Sequence, residues 1–216
     1  MNLISSLQSL VGPAGVLDAA DVATRSAGAF RNDNLRARAL VRPANTEEVA
    51  AVLRWCHQND VKVVPQGGLT GLVHGADASP EELILSTERM RTIERIDASQ
   101  RTATVQAGVT LQALQEAVQD HGLMYPLDLG ARGTATVGGN AATNAGGNRV
   151  IRYGMTRDMV LGLEAVLADG TIVSSMNGLI KNNTGYDLKQ LFVGSEGTLG
   201  VITRLVLRLR EKPVAS

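Results

Sequence analysis

The sequence has a single cysteine, Cys56, only 3% aromatic residues, no long apolar run and no excess charge of either sign. Each shortage removes a class of function. One thiol permits no intrachain disulfide and no multi-cysteine zinc or iron–sulfur site. The histidines, His57, His74 and His121, fall at no helical metal-ligand spacing, so no metal site is expected. Lys plus Arg and Asp plus Glu both number 21. That balance argues against holding nucleic acid or an anionic membrane by bulk charge. The scarcity of Phe, Trp and Tyr argues against base-stacking platforms. No stretch reaches transmembrane length, and the first residues carry no basic cluster of a secretory signal, so the expected location is the cytoplasm. Two phosphate-binding fingerprints are also missing. There is no Gly-x-x-x-x-Gly-Lys-Ser/Thr to place a lysine on a γ-phosphate, and no Gly-x-Gly-x-x-Gly of the Rossmann type.

What is present is a globular chain of 216 residues, 44% hydrophobic, long enough for one large or two small domains. Leu3, Leu7, Leu10 and Val11 have helical spacing, stopped by Gly12-Pro13. Residues 1–34 otherwise show little pattern and are expected to be an N-terminal extension. Arg38–Arg42 reads as a buried strand. Asn45 with Glu48 then forms a capping-box signal for a helix whose Val49, Val52, Leu53 and Cys56 share a face. Val61–Val64 and Leu83–Leu85 are further strands, giving a parallel βαβ unit. Thr92–Asp97 and Thr102–Ala107 are short strands, Thr110–His121 a helix, and Val160–Ala168 with Thr171–Val173 a hairpin around Asp169-Gly170. Val201–Leu209 alternates, with Arg204 and Arg208 opposite Thr203, Leu205, Leu207 and Leu209. The expected fold class is α+β in two lobes. A small βαβ lobe covers about 35–90, and a larger mixed or antiparallel sheet lobe with helices covers about 91–212.

Glycine is abundant: 23 residues, of which 20 lie between Gly67 and Gly200. Three glycine-rich segments stand out, each beside a strand. Pro65-Gln-Gly-Gly-Leu-Thr-Gly-Leu72 can turn successive backbone N–H groups toward one point as an anion nest, with the Thr70 hydroxyl added; an ordinary turn would use the same glycines. Gly133–Asn148 contains no charge and nothing bulkier than valine, so it can lie flat against an extended ligand, offering N–H groups, Thr hydroxyls and Asn amides. Gly194–Thr203 is a glycine turn feeding a strand whose edge could read a purine, or merely a turn entering the core. Together they suggest one long phosphorylated ligand wrapped by two lobes, and FAD fits.

The same segments carry a family likeness. Pro65-x-Gly-Gly-x-Thr-Gly-Leu72, Gly133-x-x-x-Val-Gly-Gly-Asn140, Ala142-Thr-Asn-Ala-Gly-Gly147, Leu161-Gly-Leu-Glu-Ala-Val-Leu-Ala-Asp-Gly170, Asn183-Thr-Gly-Tyr-Asp-Leu-Lys-Gln-Leu-Phe192 and Gly194-Ser-Glu-Gly-Thr-Leu-Gly-Val-Ile-Thr203 follow in order. This series resembles FAD-linked oxidoreductases of the vanillyl-alcohol oxidase and p-cresol methylhydroxylase type, above all the branch with D-2-hydroxyglutarate and D-lactate dehydrogenases and the glycolate oxidase D subunit. The resemblance implies an FAD-binding domain in which Gln66, Gly67, Gly68, Leu69, Thr70, Gly71 and Leu72 cradle the diphosphate. Thr134, Gly138, Gly139, Asn140, Thr143, Asn144, Gly146 and Gly147 would line diphosphate, ribose and flavin ring, and Glu196, Gly197, Val201 and Ile202 the adenine–ribose end. Some relatives attach FAD through a histidine directly after the two loop glycines. Leu69 stands there, so non-covalent FAD is expected, with His74 a bystander or weak phosphate neighbour rather than a covalent anchor.

The activity implied is hydride transfer from a small 2-hydroxyacid to flavin N5. The alternative is a non-catalytic flavin-binding fragment or subunit needing a separate substrate domain. In the family a C-terminal domain supplies a substrate arginine and lysine and a His-x-Gly-Asp-Gly-Asn-x-His metal motif, none of which occurs here. That substrate domain is therefore expected to be absent, and with it the catalytic residues. A homo-oligomer or a completing subunit is the partner expected. Among smaller signals, Cys56 and Trp55 read as helix packing. Asn182-Asn-Thr184 reads as a sequon without consequence. Lys181, Tyr186 and Asp187 read as a buried network holding their loop or, if near the flavin, as groups orienting the ring or the substrate, the network being favoured.

Overall fold

The computed structural model describes residues 2–213. The chain opens with helix α1 (Leu3–Val11), capped by the Asn2 side chain, then strand β1 (Val16–Asp18) and a helical turn α2 (Ala19–Val22). Strand β2 (Ala39–Val41) leads into α3 (Thr46–Gln58). Asn45 Oδ1 accepts from the Glu48 N–H at 2.8 Å, while the Glu48 carboxylate reaches back to the Ala44 N–H at 2.8 Å. The reciprocal cap thus closes one residue earlier than a standard capping box. Strands β3 (Val63–Gln66) and β4 (Leu83–Ser86) complete the first sheet.

Its order is β1-β2-β4-β3, with β4 parallel to both β2 and β3 and β1 antiparallel to β2. The strand–helix–strand unit is therefore real, but β4 sits between its two strands. Strand pleating divides the apolar residues between faces. Ala39, Val41, Leu83 and Leu85 face α1 and α3, where Cys56 is buried. Burial pushes the Cys56 thiol up to about 12, so it is an inert core group. Leu40 and Ile84 face the other way, onto Val22, Ala27, Leu35 and Ala37. Residues 2–34 are thus built into this lobe and are no appendage: α1 supplies core and β1 supplies a strand.

The second lobe runs through β5 (Ile93–Asp97), β6 (Thr102–Gln106), α4 (Leu111–Gln119), β7 (Leu123–Met124), α5 (Val137–Ala142), α6 (Val150–Tyr153), α7 (Thr156–Met159), β8 (Val160–Val166), β9 (Ile172–Ser175), α8 (Lys189–Phe192), β10 (Val201–Arg208) and β11 (Arg210–Glu211). Its sheet, β5-β6-β10-β8-β9, is antiparallel throughout, with the last long strand, β10, at the centre. Strand β11 pairs with β7 in a separate two-stranded ribbon. Leu205 and Leu207 fill this lobe's core with Leu111, Leu114, Val118 and Leu163.

The lobes share material. Val166 and Val201 pack into the first lobe's core. The buried Glu164 carboxylate on β8 accepts from the Thr46 hydroxyl at the start of α3 at 2.7 Å and from Thr203 at 3.3 Å. A second tie lies within the first lobe, where Glu88 is gripped by Arg25 at 2.5 Å and by Arg42 at 3.2 Å. Burial by itself would raise the Glu88 carboxyl; the two guanidinium groups outweigh it and hold the group below its ordinary 4.5. A depressed folded value means that the stabilisation is complete above the unfolded value and disappears as pH falls through the folded one. Urea denaturation across about pH 5 to 3 should therefore show a shallower acid loss of stability for Glu88→Gln than for the wild type. An unchanged slope would mean that the pair contributes nothing.

No helix among the described residues is long and apolar enough to cross a membrane.

Candidate functional site

All three glycine-rich segments meet at a cleft between the two sheets, a cavity of about 490 Å³. The first wall begins where β3 ends. The buried Gln66 side chain donates from Nε2 to the Ala76 carbonyl at 2.8 Å, closing the base of a loop over residues 67–76. Leu69 and His74 adopt left-handed backbone angles, φ 53° and 61°. The Leu69 side chain packs onto the first lobe's outer apolar cluster. Among the described residues, no backbone N–H from Gly67 through Ala76 has a protein acceptor. A run of free donors along one cavity wall is what an anion requires.

The second wall is α5. Thr136 caps it, accepting from the Gly139 N–H at 3.2 Å. Gly138 N–H is bonded to the Ala107 carbonyl at 2.8 Å and Asn140 N–H to the Thr136 carbonyl at 2.8 Å. This segment therefore offers few free backbone donors, contrary to expectation; its contribution is the Asn140 amide. Asn140 is buried, and its Nδ2 has no hydrogen-bond partner. An orphaned buried donor costs stability unless something occupies it.

The third segment is stitched to α5: Gly194 N–H donates to the Ala141 carbonyl at 3.0 Å and Glu196 N–H to the Ala142 carbonyl at 2.9 Å. Glu196, with φ 53°, is the only titratable side chain among the described residues lining the cleft, and no lysine or arginine lines it.

Of the residues singled out from sequence, Gln66 through Leu72 line the cleft, as do Gly138, Gly139, Asn140 and Thr143, and on the far side Glu196, Gly197, Val201 and Ile202. Four do not. Thr134 turns its carbonyl against Gly68 and its hydroxyl to Ala131. Asn144 spends its Oδ1 on the Arg157 N–H at 2.9 Å. Gly146 lies against Met155 and Val150. Gly147 is glycine because φ is 73° and a Cβ would stand 2.3 Å from the Asp128 carbonyl oxygen. These four shape the walls from behind.

Residues missed from sequence include Val73, Gly75, Ala76, Thr87, Leu129 and Thr136. Gly75 and the Thr-x-x-Gly spacing of Thr136 were readable signals; Thr87 and Leu129 carried none. The Lys181–Asp187 network is also not buried. Tyr186 is 95% exposed, and Asp187 pairs at the surface with Lys189 at 2.6 Å.

A family model described as FAD binding domain matches residues 37–175. The mitochondrial D-2-hydroxyglutarate dehydrogenase of Bos taurus is 52% identical over 176 residues, covering 82% of this chain and 32% of its own length. The D-2-hydroxyglutarate dehydrogenase of Xanthomonas citri pv. viticola is 49% identical over 178 residues, covering 82% of this chain and 38% of its own. The chain thus spans about a third of the length of these curated relatives. Among solved structures, p-cresol methylhydroxylase with substrate bound matches with a TM-score of 0.80 at 22% identity, over 98% of this chain and 43% of that one, a likeness of fold.

Proposed function

The chain belongs to the FAD binding domain family, and we propose that it is the flavin-holding part of a dehydrogenase oxidising a small D-2-hydroxyacid, with D-2-hydroxyglutarate as the first candidate. The observation that carries the reading is a loop whose N–H groups from Gly67 through Ala76 have no protein acceptor, most of its residues lining the same cavity as the orphaned Asn140 amide. These residues fit a diphosphate held without cations.

In this reading the loop 67–76 grips the diphosphate, with the Thr70 hydroxyl beside it. Asn140 donates from the opposite wall. Glu196 would repel a phosphate, so it is placed at a ribose, where a carboxylate accepts from hydroxyls. Leu129, Ala107, Val201 and Ile202 give the cleft apolar walls against which the flat, uncharged parts of the ligand can lie. FAD, when bound, supplies a hydride acceptor at its N5. Attachment is non-covalent, because Leu69 has no nucleophile and its side chain packs away in the first lobe. The flavin-holding unit extends from α1 to β11, with lobes meeting between β4 and β5. The base that takes the hydroxyl proton belongs to a substrate domain or subunit outside this chain, since the cleft's one carboxylate is already used. Support for a completing partner comes from the exposed large apolar side chains of Leu179, Ile180, Tyr186, Leu188, Leu191 and Leu199.

Mixing the purified protein with FAD should give a bound absorbance band near about 450 nm. At a hundredfold excess over Kd the added stability should be about 2.7 kcal/mol. Bleaching of that band under anaerobic D-2-hydroxyglutarate, but not its L isomer, in the protein joined to its substrate domain tests the substrate. Protein that stays colourless with excess FAD overturns the reading.

A further inference from the structure

We propose that Arg31 is a positioning residue for the flavin cradle, buckling residues 28–33 to the outer limb of the loop and so setting the shape in which its N–H groups face the cleft. The inference rests on reading residues 67–76 as the FAD cradle. The loop holds almost nothing of itself together: none of its N–H groups has a protein acceptor, and just beyond it Asp77 N–H reaches the His74 carbonyl at 3.1 Å. Yet it carries two left-handed non-glycine residues, Leu69 and His74, a conformation that persists only where surroundings enforce it.

Two devices enforce it. Gln66 clamps the base through Ala76. The outer limb is held by Arg31, whose Nη1 donates to the Asp77 carboxylate and lies 3.0 Å from His74 Nδ1. The guanidinium is itself aimed by Asp33, which accepts from Nε at 2.7 Å and from Nη2 at 2.5 Å. Arg31 thereby joins segments more than 40 residues apart. Backbone contacts run alongside: Ala29 N–H donates to the Leu69 carbonyl at 3.4 Å, and Gly28 approaches the same oxygen. Asp77 is held below the usual carboxylate range, the Arg31 hydrogen bond being the first cause. Arg31 does not line the cleft and precedes the segment matched by the family model, so it acts through the loop.

The test is a double-mutant cycle on FAD affinity, with NMR backbone order parameters of residues 67–77 and thermal melting measured on the FAD-free protein. Arg31→Ala and Asp77→Asn should each weaken FAD binding about tenfold. The double variant should be no weaker than the worse single. Order parameters at 67–77 should fall in the FAD-free variants while their melting temperature stays at the wild-type value. Unchanged FAD affinity in Arg31→Ala, or additive losses in the double variant, overturns the buckle. So does a fall in melting temperature with order parameters at 67–77 unaltered, which would make the pair an ordinary surface tie. A wild-type protein that binds no FAD refutes the cradle reading instead, and the order parameters still report whether Arg31 orders the loop.

Discussion

Gly68→Ala is expected to break the cradle rather than crowd it. A Cβ at this position would stand 1.9 Å from the Thr134 carbonyl oxygen, 2.7 Å from its carbon and 3.0 Å from Ala135 Cα. All three are backbone atoms, so no rotamer change relieves the overlap, and the first and second glycine segments must part. Overpacking of this kind costs about 3 kcal/mol, and the FAD-free protein should melt correspondingly earlier while FAD binding is lost. Gly71 provides the contrast, since a Cβ there meets nothing within 4 Å. Gly71→Ala should leave the melting temperature of the FAD-free protein unchanged. Calorimetry of the two FAD-free variants separates the cases, and a Gly68→Ala protein with wild-type stability would show that the two segments are not in contact.

Glu164→Ala should loosen the joint between lobes. Its carboxylate is the shared acceptor of Thr46 and Thr203, both buried, and also meets Arg204 at 3.4 Å. Arg204 keeps Glu94 as a partner at 2.6 Å, so no unpaired cation is left. Thr203 keeps the Glu164 backbone carbonyl as an acceptor at 3.3 Å, so the loss is one buried hydroxyl, that of Thr46, left without an acceptor, at about 1 to 3 kcal/mol. Glu164→Gln keeps an acceptor oxygen for Thr46 and should recover much of that. Urea denaturation at neutral pH measures both. Equal stability of Glu164→Ala and the wild type would remove the pin from the account of how the cleft walls are held in register.

Much of this architecture is legible in the sequence. Helix α3 announces itself through Asn45, Glu48 and the Val49–Cys56 face, because capping and periodicity are local. The α+β class and the long strands of both lobes follow from similarly local signals, as do the three glycine-rich segments, within which the family resemblance picked out individual cleft residues. What escaped was non-local. Strand β1 is three residues long and has no period to show. The insertion of β4 between β2 and β3 is a pairing choice that no strand states by itself. The segment over 126–158 looked structureless, yet α5 forms there from Val-Gly-Gly-Asn-Ala-Ala, because Gly138 must approach Ala107 closely and small residues hide their helical face. At the site, glycine abundance pointed correctly to the cleft but not to each glycine's task. Gly68 and Gly147 are bare so that chain can touch chain. The free donors could be counted only once the other N–H groups had found their partners.

The central place of β10 has a consequence for biosynthesis. A nascent chain emerging from the ribosome displays β6 and β8 with their inner edges open until Val201–Arg208 has cleared the exit tunnel. Because Val201 also plugs the first lobe, neither half can finish folding on its own schedule. Both lobes therefore mature only once this strand has emerged, and a ribosome stalled a few codons before it would leave two sticky edges for a chaperone to shield.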